Sequence, residues 1–274
     1  MTKSQVKPAN ILLTLKENKE DNVTTIKQLY NARYTYKQSL IGCRTKLQQL
    51  MMLLERNKYI HWSRCVEDSD VVSELFWTHP NAIKLLNAFN IVLLMESTYK
   101  TNRYRLPLLE IGCVTSTGLT FSVAFVFLSS EQQNNFIWCL QRLKELFITY
   151  DGLPKVIVTN RDLALMNSIS IVFPESYHLL CCFHIQKNVR AKCKMLINFL
   201  DAWDVVLDAW EYVMDCGDIS TFADYACNFT MFVMLGLCFL NVIDTWIIPY
   251  KERFVKVWTN KVMHLGQTTT NKYV

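Results

Sequence analysis

The sequence is poor in the residues that interrupt packed structure. It has seven glycines and six prolines in 274 residues. With 51% apolar residues, it cannot be read as an intrinsically disordered chain. It has no internal repeats and no low-complexity tracts. An apolar leader is also missing: MTKSQVKPANILLTLKENKED is polar within its first ten residues and charged soon after, so no signal peptide is expected. The ten cysteines are therefore read as reduced thiols of cytosol or nucleus, most of them small core hydrophobes. Charge is not strongly of one sign. The 29 basic and 24 acidic residues give a net charge of +5, which suits a nucleic-acid partner without establishing one. One long uncharged run exists, residues 226–243, at the lower limit for crossing a bilayer. Asn228, Thr230, Gly236 and Asn241 interrupt it and Asp224 and Asp244 flank it, so a buried helix is expected and no membrane partner.

What is present divides along the chain. Within 8–16, Ile11, Leu12 and Leu15 recur at helical spacing; 18–22 is a polar turn; and Thr24 or Thr25 can cap a second helix from 26 to about 38. That helix presents Lys27, Asn31, Arg33, Tyr34 and Lys37. Two readings stay open for the pair. One is a helix–turn–helix that reads DNA, the other an ordinary helical hairpin with a solvated basic face. Residues 45–57 form an amphipathic helix rich in Leu and Met. His61 and His79 sit beside aromatic residues with no Cys/His metal spacing around them, so both are read as structural.

From about residue 90 the pattern changes to strands. Residues 91–95 are continuously apolar, as in a strand buried on both faces, and lead into Glu96-Ser97-Thr98. Two more strands, 106–115 and 120–128, flank a turn at Ser116-Thr117-Gly118. A helix follows over 130–147, with Ser130 as its cap and Glu131 at its start. The strand 156–159 ends at Asn160-Arg161-Asp162. Asp162 is expected to cap a helix carrying Leu163, Met166, Ile169 and Ser170 on one side. A last apolar run, 177–185, contains Cys181, Cys182 and His184, and residues 195–214, 220–243 and 250–264 read as helices. Three parts are expected: a helical region over 1–88, a core over 89–196, and a helical region over 197–274.

Three hairpin-linked strands, a helix and a parallel strand begin a ribonuclease-H-like fold. The expected class is therefore α/β, a ribonuclease-H-like mixed sheet with an N-terminal helical segment and a C-terminal helical insertion region. The words MESTYKTNRYRLPLLEIGCVTSTGLTFSVAF, PKVIVTNRDLALMN, LLCCFHIQKNV and WTNKVMHLGQTTTNK resemble the plant Mutator-like (MULE) transposase domain. That domain also occurs in the far-red-response regulators of plants, and the resemblance runs over about residues 8–274. It implies a metal-dependent DNA nuclease and strand transferase with three acidic residues and a helical insertion between the second and third.

The resemblance places Glu96 where the family has Asp in DSTYKTN, and Asn160 where it has Asp in TDRD. The third acid, a Glu after HLGNTTT, falls about where this sequence stops, and the family's C-x2-H pair matches Cys181 and His184. Two Mg2+ ions need several anionic oxygens, which Glu96 and neutral Asn160 do not supply; Asp162 is the candidate substitute. Cys181 and His184 are candidate zinc ligands with no evident second pair, and on a strand Cys181 and Cys182 would face opposite ways. The DNA contacts expected are Lys27, Asn31, Arg33, Lys37, Lys100, Arg103, Arg105, His184, Lys187 and Lys194. Tyr99 and Tyr104 interleave with the cations, as in backbone-binding surfaces. The function expected is a transposase-derived nuclear protein with degenerate chemistry that binds DNA, alone or as a homo-oligomer, with no small-molecule substrate. An active Mg2+-dependent transposase and a non-catalytic nuclear regulator of transcription are the alternatives.

Overall fold

A computed structural model describes residues 6–19, 21–99, 102, 104–194, 200–234 and 248–270. The chain divides into two compact units, one ending at Lys58 and the other beginning at Tyr59.

The first unit is helical. Helix α1 (Pro8–Asn18) starts on a proline, whose missing N–H costs nothing at a helix start. Helix α2 (Ile26–Ile41) begins at Thr25, not Thr24. Thr25 Oγ1 accepts from the Gln28 amide at 3.3 Å, and the Thr25 amide donates to Gln28 Oε1 at 2.7 Å. This reciprocal capping box satisfies two amides that no helical carbonyl can reach. Gly42, at φ +59°, ends α2 in a conformation that side chains with a Cβ resist. Thr45 and Gln48 repeat the capping box at the start of α3 (Lys46–Arg56). Thr25→Ala is expected to cost about 1 kcal/mol of local stability. Amide hydrogen exchange should show this as faster exchange confined to the first turn of α2.

The second unit is mixed α/β. Its seven-stranded sheet has the order β1-β2-β5-β4-β3-β6-β7. The strands are β1 (Ile60–Cys65), β2 (Val72–Thr78), β3 (Val92–Thr98), β4 (Leu108–Val114), β5 (Thr120–Phe127), β6 (Val156–Thr159) and β7 (Tyr177–Leu180). The pairs β3–β6 and β6–β7 are parallel and the others antiparallel. Strands 91–95 and 156–159 are thus parallel neighbours, as expected. The sheet starts earlier than expected, however. The stretch assigned to a helical region over 1–88 contains β1 and β2, a hairpin added to the β5 edge, and only α4 (Pro80–Ala88) is helical within 59–88. β1 is an edge strand in which Ile60, Ser63 and Cys65 are exposed and His61, Ser63 and Arg64 break up the apolar residues, so no apolar run marks it.

Helices α5 (Gln133–Lys144) and α6 (Leu163–Val172) cover one sheet face, where Phe136, Leu140, Leu143, Leu165 and Ile169 pack on Leu93, Met95, Ile111 and Ile157. The alternate residues Val92, Leu94, Val156, Val158 and Leu179 build the core on the other face. Burying each such side chain contributes about 1.5–3 kcal/mol. Two local expectations change. Ser130 does not cap α5, which starts three residues later. Asn135 instead donates to Ser130 O and Oγ and to Ser129 Oγ. The buried side of α6 is Leu165, Met166, Ser168, Ile169 and Val172, while Leu163 and Ser170 face solvent.

Helices α7 (Cys182–Lys194), α8 (Leu200–Met214) and α9 (Ile219–Met234) follow. A 3-10 segment Ile248–Arg253 and the short helix α10 (Lys256–Thr259) replace the single helix expected over 250–264. Trp210, Phe222, Phe229 and Phe254 centre the core of this region. No helix among the described residues is long and apolar enough to cross a membrane. Of the run 226–243, the part beyond Met234 lies outside the described residues.

Candidate functional site

Parallel pairing sets the site. Met95 and Thr159 are opposed in the β3–β6 ladder, so Glu96 and Asn160 follow at the same level. Both lie at the carboxyl ends of neighbouring parallel strands, where open α/β sheets collect their polar groups. Glu96 is partly exposed, and its Oε1 stands 3.7 Å from His184 Nε2 in the first turn of α7. Asn160 Oδ1 is buried without a hydrogen-bond partner. Asp162 does what its place before α6 suggested: its Oδ1 accepts from the Leu165 amide at 2.8 Å, and its own amide donates to Asn160 O at 3.1 Å.

These donors do not fit a two-metal site. Glu96 brings one carboxylate, Asn160 an uncharged oxygen, and one of the two oxygens of Asp162 is taken by its cap. Two Mg2+ ions need more anionic oxygen than that. Among the described residues no group of three or more His, Cys, Asp and Glu side chains is placed to hold a metal ion. Residues 271–274, near where the third acid was expected, lie outside the described residues.

Cys181 and His184 do come together, though not on one strand. β7 ends at Leu180, Cys181 is buried in the turn, and Cys182 opens α7. This corrects the alternation argument, because strand geometry stops before either thiol. Burial alone would raise the Cys181 thiol, but hydrogen bonding from His184 and Thr270 outweighs it and lowers its pKa. The same bond to Cys181, aided by the Glu96 charge and opposed by burial, raises His184. Cys182 turns elsewhere, with its sulfur 3.5 Å from Phe254 O, and burial pushes its thiol up to about 11. The last described residues close over this corner. The Thr270 amide donates to Cys181 Sγ at 3.2 Å, and the Cys182 amide donates to Thr268 O at 2.8 Å.

Sequence reading missed a buried chain of hydrogen bonds behind the Asn160 loop. Arg253 Nη1 lies 2.9 Å from His178 Nδ1, His178 Nε2 lies 2.7 Å from Thr159 Oγ1, and Thr159 Oγ1 donates to Asn160 O at 2.7 Å. One assignment satisfies every group: Arg253 donates to Nδ1 of a neutral His178, whose Nε2–H donates to Thr159. Burial, with the Arg253 charge, holds the His178 pKa down to about 3. No local motif announces this, since Arg253 is 75 residues from His178.

The expected DNA contacts scatter. Lys27, Asn31 and Lys37 are exposed on α2, while Arg33 is half-buried and donates to Val6 O within the first unit. In the second unit Arg105 and Lys187 are exposed and His184 is half-buried beside Glu96. Arg105 takes a positive φ in a loop that Asn102 ties through the Tyr104 and Leu106 amides, and Tyr99 and Tyr104 are exposed nearby in sequence. Lys100 and Arg103 lie outside the described residues, and so does the side chain of Lys194 at the end of α7.

Comparison with known proteins finds a family over the same stretch of chain. The MULE transposase domain family matches residues 92–188, the segment carrying Glu96, Asn160, Cys181 and His184. Protein FAR1-RELATED SEQUENCE 5 of Arabidopsis thaliana is 27% identical over 146 residues, 53% of this chain and 18% of that protein. Protein FAR-RED IMPAIRED RESPONSE 1 of the same plant is 21% identical over 143 residues, 52% of this chain and 17% of that protein. A PKS-NRPS hybrid synthetase, cheA, of Chaetomium globosum is 30% identical over 182 residues, 64% of this chain but 4% of that protein. The chain thus spans less than a fifth of each of these relatives. Residues 92–188, which place Glu96 and Asn160 at adjoining parallel strand ends, are thus similar to the MULE transposase domain family.

Proposed function

We propose that this chain is a transposase-derived DNA-binding protein of ribonuclease-H-like fold that has lost DNA cleavage and acts in the nucleus. The observation that carries the reading is the donor set at the strand ends. Glu96 is a single carboxylate facing His184, Asn160 offers a neutral oxygen, and one oxygen of Asp162 is held in a helix cap. Misplacing one group by about 1 Å can cost on the order of 10²-fold in rate, and here ligand charge as well as position is altered. Support for the fold comes from the β3-β4-β5 meander followed by β6 parallel to β3.

In the second unit DNA would meet the exposed cations after β3 and on α7, Arg105 and Lys187; the first unit by itself offers Lys27, Asn31 and Lys37 on α2. Such contacts to phosphate position a duplex without reading its sequence. Binding is therefore expected to weaken steeply with salt, and Lys187→Ala to reduce the slope of log K against log[salt] by about 1. Retention no stronger than that of a neutral control protein at low salt would refute DNA binding.

Incubation with end-containing DNA and Mg2+ or Mn2+ is expected to give no nicking above background. Metal-dependent nicking that disappears in Glu96→Ala would make the protein a working DDE-type transposase.

A further inference from the structure

We propose that the outer face of α8 and α9 docks a cationic amphipathic helix of a partner protein. The inner side of α8 is fixed: Val206, Trp210 and Val213 are buried in the helical core. Its outer side carries Asp204, Asp208 and Glu211, with Asp215 just past the helix end. Their spacing of four, three and four residues makes one exposed acidic row.

Beside that row runs a groove. Val205, Ala209 and Tyr212 of α8, with Tyr225 and Asn228 of α9, enclose about 380 Å3, and the Tyr212 and Tyr225 rings lie 6.0 Å apart. Val205 is 46% and Tyr212 64% exposed, a large apolar area to leave in water. A second hollow of about 370 Å3 continues along Asp208, Glu211, Tyr212 and Asp215.

Charge decides the occupant. Lys256 pairs with Asp215 at 2.8 Å, but among the described residues no cation pairs with Asp204, Asp208 or Glu211. Neighbouring like charges repel along the row, and acids near a helix C-terminus oppose its dipole. A partner helix with Lys or Arg at matching spacing would relieve both over a length of roughly 16 Å, while its apolar stripe fills the groove. Nucleic acid is excluded from this face by its sign, although the chain as a whole carries +5.

The probe is a synthetic helical peptide with lysines at i, i+4, i+7 and i+11 and an adjacent leucine–tyrosine stripe, titrated against the full chain by fluorescence anisotropy. Saturable binding is expected. It should weaken at least about tenfold in Asp208→Lys/Glu211→Lys, and by a similar factor in Tyr212→Ala, as expected when a few central contacts dominate an interface. These side chains face solvent, so a circular dichroism melt should match the parent protein. Absence of binding, or equal binding of a peptide whose stripe is replaced by serine, would overturn the proposal, because bare charge attraction needs no groove. A dimer of the chain alone that Asp208→Lys dissolves would overturn it as well, since the face would then belong to a second copy.

Discussion

Lowering the pH from neutral to about 5 is expected to cost about 2 kcal/mol of stability through His178 alone. The sign follows from proton counting. Unfolded, the imidazole titrates near 6.5; folded, burial and the Arg253 guanidinium hold it down to about 3. Below pH 6.5 the unfolded chain gains a proton that the folded chain refuses, so stability present above 6.5 drains away as the pH falls towards 3. His264, also lowered by burial, acts in the same direction, whereas His184, raised by its bond to Cys181, acts in the opposite one. His178→Gln separates them. Glutamine offers a donor and an acceptor to the Thr159–Arg253 chain but cannot take up a proton. Urea denaturation of the parent and the variant from neutral to about pH 5 should therefore converge as the pH falls. Parallel curves would mean that His178 is not buried neutral.

Arg64→Met should be damaging near neutral pH, with an expected loss of about 3 kcal/mol. Glu74 in β2 is 1% exposed, and Arg64 Nε meets its carboxylate at 2.7 Å while lying over the Trp138 ring. Ser73 and Ser129 hydroxyls also donate to it. Burial pushes the Glu74 pKa up, but these bonds and the Arg64 charge outweigh it, leaving it below the usual value of 4.5. Stability from this carboxylate is thus present above about 4.5 and lost as the pH falls through the lowered value. Removing only the arginine strands a buried charge, whereas Arg64→Met/Glu74→Gln removes both charges and should recover most of the loss. If the double variant is no more stable than the single, the damage lies in packing against Trp138.

Local rules made part of this molecule legible from its residues. Thr25 caps α2 and Asp162 caps α6 because a side-chain oxygen two or three residues before an orphan amide needs nothing from the rest of the fold. Strands β3 and β6 were readable because residues 92–95 and 156–158 are apolar and buried on both faces. Where neighbours compete, local rules failed. Ser130 has the chemistry of a cap, yet Asn135 claims it from within α5. The apolar run after Tyr177 looks like one strand, yet its backbone turns into α7 at Cys182.

The sequence by itself determined the caps of α2 and α6 and the buried central strands, since each depends on residue type or near neighbours. Only the tertiary structure decided that β1 and β2 extend the sheet, that Cys181 meets both His184 and Thr270, and that Arg253 reaches His178 behind the Asn160 loop. Apart from Cys181 and His184, those contacts join residues tens of positions apart. Their energy comes from burial, and burial exists only once the whole sheet and its helices have closed around them.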